Sequence, residues 1–187
     1  MTTSIADRPI LISPIGPVDT GVIPPIQSAL GDIFGFPTLM DRVLEDLSLA
    51  YHHGRQQFHS TAILDMLAQA IPPECVKVLG ITDVDLFIPI LTHVYGEAQL
   101  GGTSCIVSTF RLDEGWEHTS SEPRSTQRLV KEAAHELGHT FNLKHCRDPV
   151  CIMHYCRSLH DVDQKSMHLC RYCRILLQDE LKRMGLG

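Results

Sequence analysis

The sequence predicts an α+β fold, a twisted sheet backed by helices, followed by a C-terminal part that no apolar periodicity organises. Three observations carry this. Short β-rich runs alternate with runs of helical period over residues 10–111, a pattern that builds a sheet with covering helices. A long amphipathic run over 124–140 follows them. From His145 to Leu169 histidines and cysteines then replace periodicity. The 187 residues suffice for one domain, 1–187, with a sheet-and-helix part at 1–141 and an irregular part with a closing helix at 142–187.

Taken in order, Ile10 to Ser13 reads as a first strand ended by Pro14. Pro24 to Phe34 reads as a helix, with prolines in its first turn and Gly35 after its end. Leu39 to Leu49 fits either a charged strand or a helix. Ser60-Thr61 before the helical spacing of Ala62 to Ala70 predicts a helix with a hydroxyl cap. Val76 to Thr82 is a β-rich central strand, and Asp83 and Asp85 after it read as turn and cap residues. Leu91 to Leu100 and Thr103 to Arg111 read as strands joined at Gly101-Gly102, a hairpin or two neighbours. Asp113 to Pro123 is a polar loop holding the only tryptophan, Trp116. Arg124 to Thr140 is a helix whose apolar face is Val130, Ala133, Ala134 and Leu137. Arg171 to Met184 is a closing helix with Leu176, Leu177 and Leu181 inward, Lys182 and Arg183 in its last turn and Gly185 at the cap.

Composition excludes several classes. Hydrophobic residues make up 43%, an ordinary globular value, and no run of about eighteen apolar residues predicts a membrane span. Met1 to Pro9 lacks a basic stretch followed by an apolar one, so no signal peptide is expected. Cysteines number seven. Cys75, Cys105 and Cys156, outside the pattern below, fit a reducing compartment, and a cytoplasmic monomer is expected. Net charge is −6, with +3 on residues 140–187 and −9 on 1–139. A solvated face explains the basic end better than a nucleic-acid partner does.

The chemistry is concentrated in one run, His135-Glu136-Leu137-Gly138-His139-Thr140-Phe141-Asn142-Leu143-Lys144-His145-Cys146. Histidines four apart on a helix stand one turn above the other, so both imidazoles reach one ion at about 2.0–2.1 Å. Glu136, rotated about 100° from His135, lies beside that ion, where a carboxylate can take a proton from water. His145 would lie about 9 Å further along a continuous helix. The chain must turn first, and Asn142 tolerates the left-handed conformation that ends helices. The helix is expected to end near Thr140 or Phe141, with His145 folding back to complete a three-histidine zinc site that leaves one position open.

Cys146 and Cys151, then Cys170 and Cys173, form two short-spaced pairs. Such pairs read as a structural four-cysteine zinc site, whose thiolates close the coordination shell. Buried thiols or two disulfides are the alternatives, and Cys156, His154, His160 and His168 lie close enough in sequence to replace a ligand. Because neighbouring side chains diverge, His145 and Cys146 predict two zinc ions held back to back.

These residues resemble the metzincin clan of zinc peptidases, and most closely the archaemetzincins. Those carry the long histidine motif, a cysteine directly after the third histidine, and a methionine turn at Cys-x-Met, here Cys151-Ile152-Met153. The resemblance spans about residues 131 to 173 with specific motifs, and extends loosely to Pro14-Ile15-Gly16. Two features depart from it: Asn142 replaces the family glycine, and sixteen residues rather than seventeen separate Met153 from Cys170. The resemblance implies His135, His139 and His145 as catalytic zinc ligands and Glu136 as general base. It implies Cys146, Cys151, Cys170 and Cys173 on a structural zinc, and Met153 as the apolar floor under the histidines. It also implies a metzincin-type mixed sheet whose antiparallel edge strand lines the cleft, with Leu91 to Leu100 as the candidate segment. Tyr155 follows Met153 by two residues. Its phenol is a candidate oxyanion donor, against the plainer reading of a half-buried packing residue.

The expected function is zinc-dependent hydrolysis of peptide bonds, with small or unfolded peptides as substrates and two zinc ions per chain. A non-catalytic two-zinc protein that binds a protein or nucleic acid is the alternative, and hydrolysis of a different amide or ester uses the same chemistry. Side-chain selection is expected from the loop between Met153 and Cys170 and from the neighbourhood of Trp116.

Overall fold

The computed structural model describes residues 8–112 and 124–185. The Asp113 to Pro123 loop and Trp116 lie outside the described residues. The strands are β1 (Ile10–Pro14), β2 (Thr38–Met40), β3 (Tyr51–His52), β4 (Gln57–His59), β5 (Lys77–Thr82), β6 (Leu86–Phe87), β7 (Gly96–Ala98) and β8 (Ser104–Ser108). The helices are α1 (Ile23–Phe34), α2 (Ser60–Ala70), α3 (Arg124–Thr140), α4 (Leu159–Gln164) and α5 (Arg171–Arg183).

The main sheet is mixed. Its order is β2-β1-β5-β8-β7, parallel throughout except for β7, which pairs antiparallel with β8 at the edge. Its two faces follow strand alternation. Ile10, Ile12, Leu79, Ile81, Cys105 and Val107 point to the face covered by α1 and α3. Leu11, Val78 and Ile106 point to the face covered by α2. Phe141, just past α3, is fully buried and stacks between Phe34 and Phe36 at 5.2 and 5.6 Å. Burying a ring of that size contributes about 1.5–3 kcal/mol, and it fixes the end of α3 against α1.

The sequence places β1, α1, β5, α3 and the β7–β8 hairpin correctly, and Gly35 closes α1 at φ 78°. Other expectations are corrected. Ser60 is not a cap: His59 holds that position without a side-chain bond, while the Ser60 hydroxyl donates to the Glu97 carboxylate and lies 3.1 Å from the Phe87 carbonyl. Of Leu39 to Leu49, only the end of β2 and the start of a 3-10 turn at Ser48–Ala50 are regular. Leu91 to Leu100 yields only Gly96–Ala98 as strand. Upstream, the Arg55 guanidinium takes the Leu91 and Thr92 carbonyls, and Val94 bridges to Leu86 in a second sheet. That sheet, β3-β4-β6, consists of strands of two or three residues, too short for a periodic signal. Asp85 is no cap but a bidentate partner of Arg111. Leu176 faces outward at 38% exposure, whereas Leu177 is buried. The stretch after His145 contains α4, started by a capping box between Ser158 and Asp161. Among the described residues, no helix is long and apolar enough to cross a membrane.

Candidate metal centres and the histidine cleft

Helix α3 carries His135 and His139 one turn apart and ends as its sequence requires. Asn142 adopts φ 61°, the Leu143 N–H donates to the Gly138 carbonyl and the Asn142 N–H to the His139 carbonyl. That bond pattern is the Schellman closure of a helix. It turns the chain back and brings His145 to the other two histidines. One nitrogen from each of His135, His139 and His145 lies within 4.8 Å of the others.

The hydrogen bonds orient these rings. His135 Nδ1 lies 2.8 Å from the Ile152 carbonyl, and His139 Nδ1 lies 2.7 Å from the Leu143 carbonyl. A carbonyl only accepts, so each Nδ1 carries the proton and each Nε2 keeps a bare lone pair. The two Nε2 atoms face each other at 3.1 Å. Two lone pairs repel at that separation unless a cation sits between them. A tetrahedral ion at about 2.0–2.1 Å from each nitrogen spaces them by about 3.3 Å. Burial holds the His135 imidazole well below the ordinary histidine range and pulls His139 and His145 down as well. Neutral rings are what a zinc ion binds.

Glu136 is buried beside them. Burial pushes its carboxyl well above the usual carboxylate range; Glu132 and Glu97 add to this, and Lys165 opposes it. The edge strand stands directly against it. A Cβ on Gly96 would come within 2.7 Å of Glu136 Cγ and 2.6 Å of the Ile106 carbonyl. Gly138, two residues further along α3, packs on the methionine turn, where a Cβ would meet Met153 Sδ at 2.5 Å. Met153 is fully buried. Tyr155 is 47% exposed, with its ring 5.0 Å from that of His145. A cavity of about 410 Å³ is lined by all three histidines, Glu136, Tyr155 and the edge segment through Gly96 to Ala98. Three larger cavities occur, at about 770, 920 and 490 Å³, but none is lined by Glu136. Chemistry, not volume, selects the site.

The sulfurs of Cys146, Cys151, Cys170 and Cys173 also lie within 4.8 Å of one another. Cys146 Sγ and Cys170 Sγ are 3.8 Å apart, too far for a disulfide. The separation matches the roughly 3.8 Å imposed by a tetrahedral ion at about 2.3 Å from each sulfur. Backbone N–H groups of Cys170 and Cys173 donate to the sulfurs of Cys151 and Cys170. Burial pushes the Cys151 thiol up to about 11 and Cys173 further; a coordinated cation removes that resistance to ionisation. His154, Cys156, His160 and His168 belong to neither cluster among the described residues.

Sequence reasoning missed several residues around the cleft. Gly96 carries no pattern that marks it. Lys165 is buried and donates to Glu132 at 2.6 Å, and Arg128 holds Asp163 in a fork. The Ser158-x-x-Asp161 spacing was a readable sign of α4, the helix that carries Asp163.

The comparisons agree with this geometry. A family model described as Peptidase family M54 matches residues 37–179. The archaemetzincin of Methanopyrus kandleri is 43% identical over 137 residues, covering 73% of this chain and 74% of that protein. That of Methanocaldococcus jannaschii is 34% identical over 172 residues, covering 91% and 93%. The crystal structure of a Methanopyrus kandleri archaemetzincin superposes with TM-score 0.82 at 32% identity, over 98% of this chain and 100% of that one. The Archaeoglobus fulgidus archaemetzincin complexed with malonate gives 0.75 at 36% identity, over 89% and 98%.

Proposed function

The chain belongs to peptidase family M54 and is a zinc metallopeptidase, and we propose that His135, His139 and His145 hold its catalytic zinc with Glu136 as general base. One observation carries the proposal: two imidazoles whose Nδ1 protons are committed to carbonyls aim bare Nε2 atoms at one point, 3.1 Å apart, beside a buried carboxylate.

Zinc, when bound there, supplies Lewis acidity that polarises the scissile carbonyl and acidifies water. The protein's own groups do the rest. Glu136 accepts the proton of the attacking water and returns it to the leaving amine. The Tyr155 phenol, at the mouth of the cavity, donates to the oxygen on which negative charge develops. The outer edge of β7 pairs with no strand among the described residues, so an extended peptide can add to it through main-chain hydrogen bonds. Cys146, Cys151, Cys170 and Cys173 hold a second, structural zinc. A cavity of about 410 Å³ suits a short or unfolded peptide segment, the substrate class we assign.

The test is metal analysis together with cleavage of a peptide library, for wild type, His139→Ala and Glu136→Gln. Wild type should carry two zinc ions and His139→Ala one. Glu136→Gln should keep both ions and lose activity by about 10²–10⁴-fold. Undiminished turnover in Glu136→Gln, or one zinc in both wild type and His139→Ala, would overturn the assignment.

A further inference from the structure

The winding of the main sheet reverses at β1, with β2 on one side of it and β5 on the other. In open α/β sheets such a switch point opens a crevice at the carboxyl ends of the strands, where ligands bind. Here Ile15, Gly16 and Pro17 after β1 and Asp83-Val84 after β5 border a cavity of about 490 Å³. That is the volume of a small-molecule site. It shares no lining residue with the histidine cleft. Peptide hydrolysis gives it no role, and none to the Pro14-Ile15-Gly16 motif at its rim.

Its lining has a definite chemistry. Tyr51 meets His53 edge-on at 4.9 Å and Phe58 at 5.0 Å, giving a wall of three rings. Glu45, Asp46 and Asp83 supply carboxylates, and no lysine or arginine lines the space. Asp46 is engaged by Ser48; Glu45 and Asp83 have no ion-pair partner among the described residues. Arg42 holds the loop from outside by donating to the Pro14 and Gly16 carbonyls.

A second, independent observation points to a ligand. Thr82, at the end of β5, also lines this cavity and is fully buried. Its Oγ1 is the one buried side-chain polar atom without a hydrogen-bond partner among the described residues. Strand alternation puts Thr82 on the same side as Val78, toward the cluster that contains Leu47 and Phe58. A buried hydroxyl without a partner is rare in a folded protein, and a bound donor would supply the missing bond.

Aromatic faces, uncompensated carboxylates and a waiting hydroxyl acceptor together select a cation that carries N–H donors. We propose that this crevice binds an alkylammonium group, supplied by a free polyamine or by a lysine side chain. The proposal does not depend on the hydrolytic reading, and cleavage is not its readout.

The experiment is isothermal titration of the zinc-loaded full chain at low ionic strength, first with spermidine and then with Nα-acetyl-lysine methylamide. Binding of spermidine alone identifies a free polyamine; comparable binding of the lysine derivative identifies a side chain. In either case Asp83→Asn and Tyr51→Leu should weaken binding about tenfold. Asp83→Asn is isosteric and half-exposed, so it retains the fold if Tyr51→Leu does not. Thr82→Val should also weaken binding, while the thermal midpoint without amine holds or rises. No heat from either amine up to millimolar concentration, or wild-type affinity in all three variants, would overturn the proposal. So would calcium binding in place of the amines.

Discussion

Alanine at position 96 tests how the edge strand and the Glu136 carboxylate, the proposed general base, share space. The added Cβ would lie 2.7 Å from Glu136 Cγ, 3.1 Å from Glu136 Cδ and 2.6 Å from the Ile106 carbonyl oxygen. Carbon atoms settle at about 3.5–4.0 Å, so the contact with Cγ falls short by about 0.8 Å. The Ile106 carbonyl belongs to β8, which is paired on both sides and cannot retreat cheaply. The strain must therefore move β7 outward or Glu136 sideways, by about 1 Å in total. A displacement of that size in a reacting group costs about 100-fold in rate, and overpacking costs about 1–3 kcal/mol of stability. Zinc should stay bound, because the carbonyls that orient His135 and His139 come from Ile152 and Leu143, away from β7. The assay is kcat on a peptide substrate, with zinc content and thermal midpoint measured on the same preparation. Wild-type kcat in Gly96→Ala with unchanged stability would refute the argument that this glycine exists to seat Glu136.

Three further outcomes follow from the same contacts. Cys146→Ser should lower zinc affinity at the histidine site about tenfold or more although Cys146 touches only the other cluster; competition with a chelator measures this, and unchanged affinity would sink the coupling. Gly138→Ala should destabilise by about 1–3 kcal/mol through Met153 Sδ. Adding Met153→Ala should then cost less than the sum of the single changes, and strict additivity of urea midpoints would refute the contact. Burial pulls the Lys77 ammonium from 10.5 down to about 8. The folded value lies below the unfolded one, so the unfolded chain binds the extra proton between them, and stability rises as pH climbs from about 8 to about 10.5, by at most about 3 kcal/mol. Lys77→Met should remove that rise, and equal pH slopes in the two proteins would contradict it.

What the sequence made legible was whatever a local rule governs. The span of α3 and the turn at Asn142 follow from helical period and from left-handed tolerance, and the structure realises both. The gathering of three histidines and of four cysteines follows from spacing, because short separations along the chain limit where side chains can go. The features that stayed hidden depend on distant partners. Nothing near Gly96 in the sequence announces that Glu136, forty residues on, will stand against it. Ser60 looked like a cap because its neighbours form a helix, yet the Glu97 carboxylate claims its hydroxyl. The strand expected at Leu91 is lost to Arg55, whose guanidinium takes the carbonyls that a ladder would need.

Helix α3 shows how the two candidate metal clusters became one structure. Its Ala133, Ala134 and Leu137 face enters the core, while Arg128, Lys131, Glu132 and His135 are buried against the segment that begins at the methionine turn. Arg128 grips Asp163, Lys131 donates to the Val162 and Asp163 carbonyls, and Glu132 meets Lys165. A buried charge left unpaired is expensive, so this segment is positioned by the helix rather than by apolar packing alone. Three successive residues near its start then serve both centres. Cys151 gives a sulfur to the four-cysteine cluster, the Ile152 carbonyl orients His135, and Met153 fills the space above Gly138. The Met153 carbonyl also accepts from the Cys146 N–H, next to His145. Moving any one of these groups moves a ligand of each cluster, which is why a metal ion confined to the cysteines should tighten the histidine site it never touches.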